Sequence, residues 1–312
     1  MIRFVYLRLL LGLVATMSLA TAVLAQAPER RPRAGRAYPP AIEADAVEVY
    51  KTVGDVELRI WIFKPEGHKA EDKRPAIVSF FGGGWTGGSP KQFEPQCRYL
   101  ASRGMVAMTA DYRVRSRHDV KVPQCIEDAK SAVRWVRKNA GRLGIDPARI
   151  AAGGGSAGGH LAAATGLIAG FDAPGEDKSI SAVPNAMVLF NPAAALAPFD
   201  GARPMSDERL ARLKDRVGDD PEKVSPAHHV KAGAPPTIMF FGTDDFLLDG
   251  ARWMQKRMKE EGNRCELLTW EGLPHGFFNK GRYGDKPFVE TMQATDKFLA
   301  SLDWLEGEPT IK

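Results

Sequence analysis

The chain has 312 residues, 44% hydrophobic and 26% charged, with a formal net charge of +5. That balance supports a large folded core and excludes a low-complexity or disordered chain. The basic excess is small and partly gathered in Arg30, Arg31, Arg33 and Arg36. No basic face is interleaved with aromatics, so no nucleic-acid partner is expected.

Residues 1–27 read as a signal peptide. Arg3 and Arg8 form a basic start, Leu9 to Leu24 is nearly all apolar, and the small residues up to Ala25 and Ala27 suit signal peptidase. The apolar run of about 16 residues falls short of the ~20 that a spanning helix needs. A retained anchor is the alternative; cleavage would lower the formal charge from +5 to about +3 and leave a secreted or periplasmic protein with no stable membrane span. Residues 28–42 read as a flexible Pro/Arg-rich leader, 43–306 as the main domain and 307–312 as a tail.

Within the main domain, Val47 to Thr52 and Val56 to Phe63 alternate around Gly54-Asp55, which predicts a β-hairpin. A repeated strand–loop–helix rhythm follows. Strands are predicted at Ala76 to Phe81, Met105 to Ala110, Ile150 to Ala152, Ala186 to Phe190, Thr237 to Phe241 and Cys265 to Trp270. Helices are predicted at Lys91 to Ser102, Ile126 to Asn139, Ala157 to about Gly170, Gly250 to Glu260 and Val289 to Leu302. This alternation defines an α/β fold: a mostly parallel sheet with helices on both faces. Residues 192–230 interrupt it with a proline-rich loop, a polar helix at Ser206 to Val217 and no readable strand; they are taken as a small cap insertion.

The three cysteines lie at 97, 125 and 265. In an exported protein two could pair, and Cys97 with Cys125 is the more plausible bridge, both lying at helix starts. No Cys/His spacing suggests a metal, and adjacent His228 and His229 cannot share a helix face. No metal or cofactor is expected.

Gly154-Gly155-Ser156-Ala157-Gly158 satisfies G-x-S-x-G between a predicted strand and helix, marking Ser156 as the candidate nucleophile. Such a turn needs small neighbours, and its helix N-terminus favours developing negative charge. A phosphate-binding turn is the competing reading, but the Walker lysine is absent. Gly82-Gly83-Gly84-Trp85 closes another strand, and its unobstructed N–H groups suit an oxyanion hole built by Gly83, Gly84 and Ala157. A plain flexible turn is the alternative. An acid and a histidine should follow in that order. Asp245 is the candidate acid, with Asp244 and Asp249 as competitors. His275, in a glycine-flanked loop after the last strand, is the candidate base. His160 reads as a satisfied core histidine, His68 and His118 as surface loop residues. Trp85 is the candidate wall of the substrate site.

Together with Asp111-Tyr112-Arg113, Gly242-Thr243-Asp244-Asp245 and Pro274-His275-Gly276-Phe277, these motifs resemble the hormone-sensitive-lipase-type esterases of the α/β-hydrolase superfamily. The resemblance is closer to secreted bacterial acetyl, acetylxylan and feruloyl-esterase-like proteins, and runs from about Tyr50 to Leu302. It implies a serine esterase with the acid at Asp245, and a structural network at Asp111-Tyr112-Arg113. Phe81 departs from the family pattern by standing where those esterases usually carry a loop-bracing histidine. The implied substrate is a small or carbohydrate-linked ester with a short acyl group. A peptidase or amidase of the same fold and a non-catalytic binder are the competing readings.

Overall fold

The computed structural model describes residues 38–202 and 206–312. The expected signal peptide and most of the expected leader lie outside them. An eight-stranded sheet runs in the order β1-β2-β4-β3-β5-β6-β7-β8. The strands are β1 (Ala46–Val53), β2 (Val56–Phe63), β3 (Arg74–Phe80), β4 (Val106–Ala110), β5 (Ile145–Gly155), β6 (Ala186–Phe190), β7 (Thr237–Gly242) and β8 (Cys265–Trp270). Pairings β1–β2 and β2–β4 are antiparallel; every other neighbouring pair is parallel. The hairpin turns at Gly54-Asp55, as its alternation predicts.

The helices are α1 (Glu94–Ser102), α2 (Arg115–His118), α3 (Val122–Lys138), α4 (Ala157–Leu167), α5 (Asp207–Val217), α6 (Leu248–Glu260) and α7 (Lys286–Ala300). Successive residues of a strand point to opposite faces, and β3 divides accordingly. Ala76, Val78 and Phe80 join the core under α3, α4 and α6. Ile77 joins the core under α1 and α7. Only a run apolar at every position can serve two cores, which is why the central strands lack alternation.

Two expectations need correction. Cys97 belongs to the core under α1 and Cys125 to the core under α3, so the sheet lies between them; all three cysteines are free and buried. His68 and His118 are half-buried rather than free at the surface. The His68 imidazole bonds the Leu143 carbonyl at 2.9 Å with its side chain 5% exposed, and His118 Nδ1 accepts from the Val114 N–H at 3.0 Å. Some boundaries also move: β5 begins at Ile145 and α3 at Val122, while the short α2 carries no long apolar period to announce it. The segment 192–230 carries α5 and two 3-10 turns, with no strand among the described residues. None of the helices in the described residues is long and apolar enough to cross a membrane.

Candidate active site

All the candidate site residues sit at the carboxyl ends of β3, β5, β7 and β8, where open α/β sheets place their ligands. Ser156 follows β5 and caps α4 with φ 53° and ψ −117°, a conformation that costs a non-glycine residue roughly 1–3 kcal/mol. Its neighbours hold it there. The Ser156 N–H donates to the Phe190 carbonyl at 2.9 Å, and its carbonyl accepts from the His160 N–H at 2.9 Å. Gly158 makes the turn possible, because a Cβ there would stand 2.0 Å from the Phe80 carbonyl oxygen.

Ser156 Oγ lies 2.9 Å from His275 Nε2, and His275 Nδ1 lies 2.7 Å from Asp245 Oδ2. Asp245 Oδ1 accepts from the Leu247 N–H at 2.9 Å. The Asp245 side chain is fully buried whereas Asp244 is exposed, so only one of the adjacent carboxylates reaches the imidazole. The chain of bonds can pass the serine proton to a ring whose other nitrogen is held by a carboxylate.

Facing Ser156, Gly83 has φ +136° and Gly84 φ +61°. Neither N–H has an acceptor among the described residues. The Ala157 N–H is one of the first-turn donors that no helix can satisfy internally. The Gly82 N–H is engaged by Gln92 Oε1 at 2.6 Å, which leaves the three N–H groups of Gly83, Gly84 and Ala157 available to one oxygen.

Where a histidine would stand in related esterases, Phe81 stacks on Tyr112 with centroids 4.1 Å apart, and the Tyr112 hydroxyl donates to the Phe81 carbonyl at 2.8 Å. Asp111 is held by Tyr38 and by the Tyr112 N–H, and Arg113 makes a two-point ion pair with buried Asp128. Desolvation raises the Asp111 carboxyl to about 6. Tyr38 thus ties the last part of the expected leader to the domain.

Trp85 lines a cleft of about 280 Å³ that also contains Ser156, Ala157, Leu196 and Phe246. Its indole N–H donates to His160 Nδ1 at 3.3 Å, and His160 Nε2 faces the Val224 carbonyl at 2.6 Å. Both ring nitrogens are therefore satisfied in a fully buried side chain, whose pKa burial lowers to about 4.

Some contributors carry no sequence motif. Gln92 Nε2 donates to Asn279 Oδ1 at 2.8 Å, and Asn279 Nδ2 donates to the Gly276 carbonyl at 2.8 Å. Gln92 and Asn279 therefore join the glycine loop to the histidine loop. The Gly276 N–H in turn donates to Asn191 Oδ1 at 3.0 Å. Asn191 had one available signal, a polar residue directly after an apolar strand; Gln92 sits in a helical turn and had none.

A mostly parallel sheet covered on both faces, with a serine at a strand-to-helix turn bonded to a histidine that is bonded in turn to an aspartate, defines a serine hydrolase of the α/β type. A family model of the alpha/beta hydrolase fold matches residues 77–279, and the chain belongs to that family, among its serine esterases. It is 33% identical over 250 residues to Carboxylesterase NlhH of Mycobacterium tuberculosis, covering 74% of this chain and 73% of that protein. It is 32% identical over 218 residues to Esterase LipC of the same organism, covering 65% of this chain but only 54% of LipC. The solved structure of Thermogutta terrifontis esterase 2 phosphonylated by sarin is 49% identical, with a TM-score of 0.84, over 87% of this chain and all of that one. Its propionate-bound form is 50% identical, with a TM-score of 0.81, over 87% of this chain and 99% of that one.

Proposed function

We propose that the protein is an exported carboxylic ester hydrolase acting on short acyl esters, including acetyl groups on carbohydrate. The carrying observation is the bond chain from Ser156 Oγ through His275 to Asp245, facing unengaged glycine N–H groups. In this reading Ser156 Oγ attacks the ester carbonyl while His275 Nε2 takes its proton. The carbonyl oxygen gains the negative charge and is received by the N–H groups of Gly83, Gly84 and Ala157. Collapse breaks the bond to the alcohol oxygen, which leaves with the proton from His275, and Ser156 holds the acyl group. A water then gives a proton to His275 and attacks the acyl carbon; collapse breaks the bond to Ser156 Oγ, which takes that proton back as the acid is released. Asp245 keeps the imidazole oriented and stabilises its charged form throughout.

The preference for short chains rests on the cleft. A long hydrocarbon chain gains ~0.8 kcal/mol per CH₂ only where apolar walls continue to enclose it. This cleft holds only about 280 Å³, and its lining includes the guanidinium-bearing Arg212 and Arg216. The propionate bound to a relative with half its residues in common fits the same reading. Export rests on residues 1–27 and carbohydrate on the family resemblance.

The test is a series of p-nitrophenyl esters from acetyl to octanoyl, run beside acetylated xylan. The expected result is a kcat/KM at least ~10-fold higher for acetyl than for octanoyl, with acetate released from the glycan. A preference for octanoyl with no acetate from any glycan would move the protein to lipid-like esters.

A further inference from the structure

The cleft that holds Ser156 has a one-sided charge. Among its described lining residues the charged ones are Arg212 and Arg216, and no carboxylate is among that lining. They stand one helical turn apart on α5 and so share a face. The helix is pinned beside the glycine loop. Arg115, whose N–H donates to the Trp85 carbonyl at 3.0 Å, pairs with Asp215. Arg216 follows directly, and a Cβ built on Gly84 would stand 3.6 Å from its Nη1. Its guanidinium makes no ion pair among the described residues, while Arg212 pairs with Glu208 only at the exposed surface. Exposed pairs of that kind are weak and readily exchanged.

Neutral esters need neither arginine, since backbone N–H groups suffice for the oxyanion. A substrate carrying a carboxylate is different. Held near the developing oxyanion, its charge would oppose the reaction unless cations offset it. Guanidinium groups match a carboxylate in two-point geometry, and two stand at the cleft's lip. Resting on the ester-hydrolase reading above, we propose that Arg216, with Arg212, selects esters that carry a carboxylate, either on the acyl group or on the alcohol. The first source is a monoester of a dicarboxylic acid; the second is an acylated acidic sugar or hydroxy acid.

Two matched pairs test this and separate the sources. p-Nitrophenyl hemisuccinate is compared with p-nitrophenyl butyrate for a carboxylate on the acyl side. 4-Acetoxybenzoate is compared with 4-acetoxybenzamide for one on the alcohol side. In at least one pair the anion should be favoured in kcat/KM relative to its neutral partner. Arg216→Gln should lower that ratio about tenfold, mainly through KM, Arg216→Lys should restore part of it, and Arg216→Glu should invert it. Raising salt from 0.05 to 0.5 M, roughly a threefold change in screening length, should weaken the preference in the parent and leave the Arg216→Gln ratio flat. Turnover of the neutral esters with charge ratios that Arg216→Gln leaves within twofold in both pairs would overturn this inference alone. No turnover of any ester would remove the esterase reading and this one with it. A circular dichroism melt of each variant excludes loss of fold as the cause.

Discussion

Asp244 and Asp245 are neighbours in sequence with opposite surroundings, and the difference is worth a direct test. Asp245 is buried against His275, whereas Asp244 is exposed. Asp245→Asn should lower kcat at least ~10³-fold, because the amide favours the wrong imidazole tautomer; Asp244→Asn should stay within a few-fold. The reverse order in ester kinetics would shift the acid by one position. His160 gives a second test, of stability. Its folded pKa is about 4 against ~6.5 in an unfolded chain, so the unfolded state binds the extra proton between those values. The contribution is complete above about pH 6.5 and declines as pH falls toward 4, by about 3 kcal/mol in all. His160→Gln keeps a donor for the Val224 carbonyl, so urea melts should show lower stability at neutral pH but a shallower acid decline. An unchanged slope would refute the assignment of that decline to His160. At this scale the sequence was most readable where chemistry restricts residue choice. A serine set among small residues directly after a strand suits few roles besides a nucleophile's, whereas Gln92 has the same letter whether it braces a loop or faces water.

Elements were legible where their length and period were strong. The alternating hairpin and the apolar central strands stand out because burial on one face or two leaves different patterns. The start of α3 is hidden because Val122-Pro123-Gln124-Cys125 looks like a loop, yet proline is well placed in a helix's first turn. What joins the elements was not legible at all. The bridge from Gly82 through Gln92 and Asn279 to Gly276 spans 187 residues at its central bond. Gln92→Leu removes the acceptor for the Gly82 N–H and the link to Asn279 together. It should lower kcat about 10- to 100-fold, by misplacing loops on which catalysis depends within about an ångström. Adding Asn279→Ala should cost much less than in the parent, since coupled residues are not additive. Additive losses in a double-mutant cycle would show that the two loops are held independently.

For the molecule as a whole, the sheet separates two cores, and this decides the cysteines. Burial raises all three thiols well above their ordinary value, and Cys97 and Cys125 occupy opposite faces. Protein unfolded in guanidinium without reductant should therefore titrate as three thiols; a count of one would mean an intramolecular bridge and contradict the three free cysteines. The expected bridge failed because position along a helix says nothing of which side of a sheet that helix covers. Everything proposed for the whole molecule turns on Ser156 as the nucleophile of an ester hydrolase. That role is tested most directly by treating the protein with a fluorophosphonate, following p-nitrophenyl butyrate hydrolysis, and mapping the adduct by peptide mass spectrometry. Activity should disappear in proportion to one adduct per chain, located on Ser156, and Ser156→Ala should neither react nor turn over. Full activity in a protein labelled at Ser156, or inactivation with the adduct elsewhere, would contradict it.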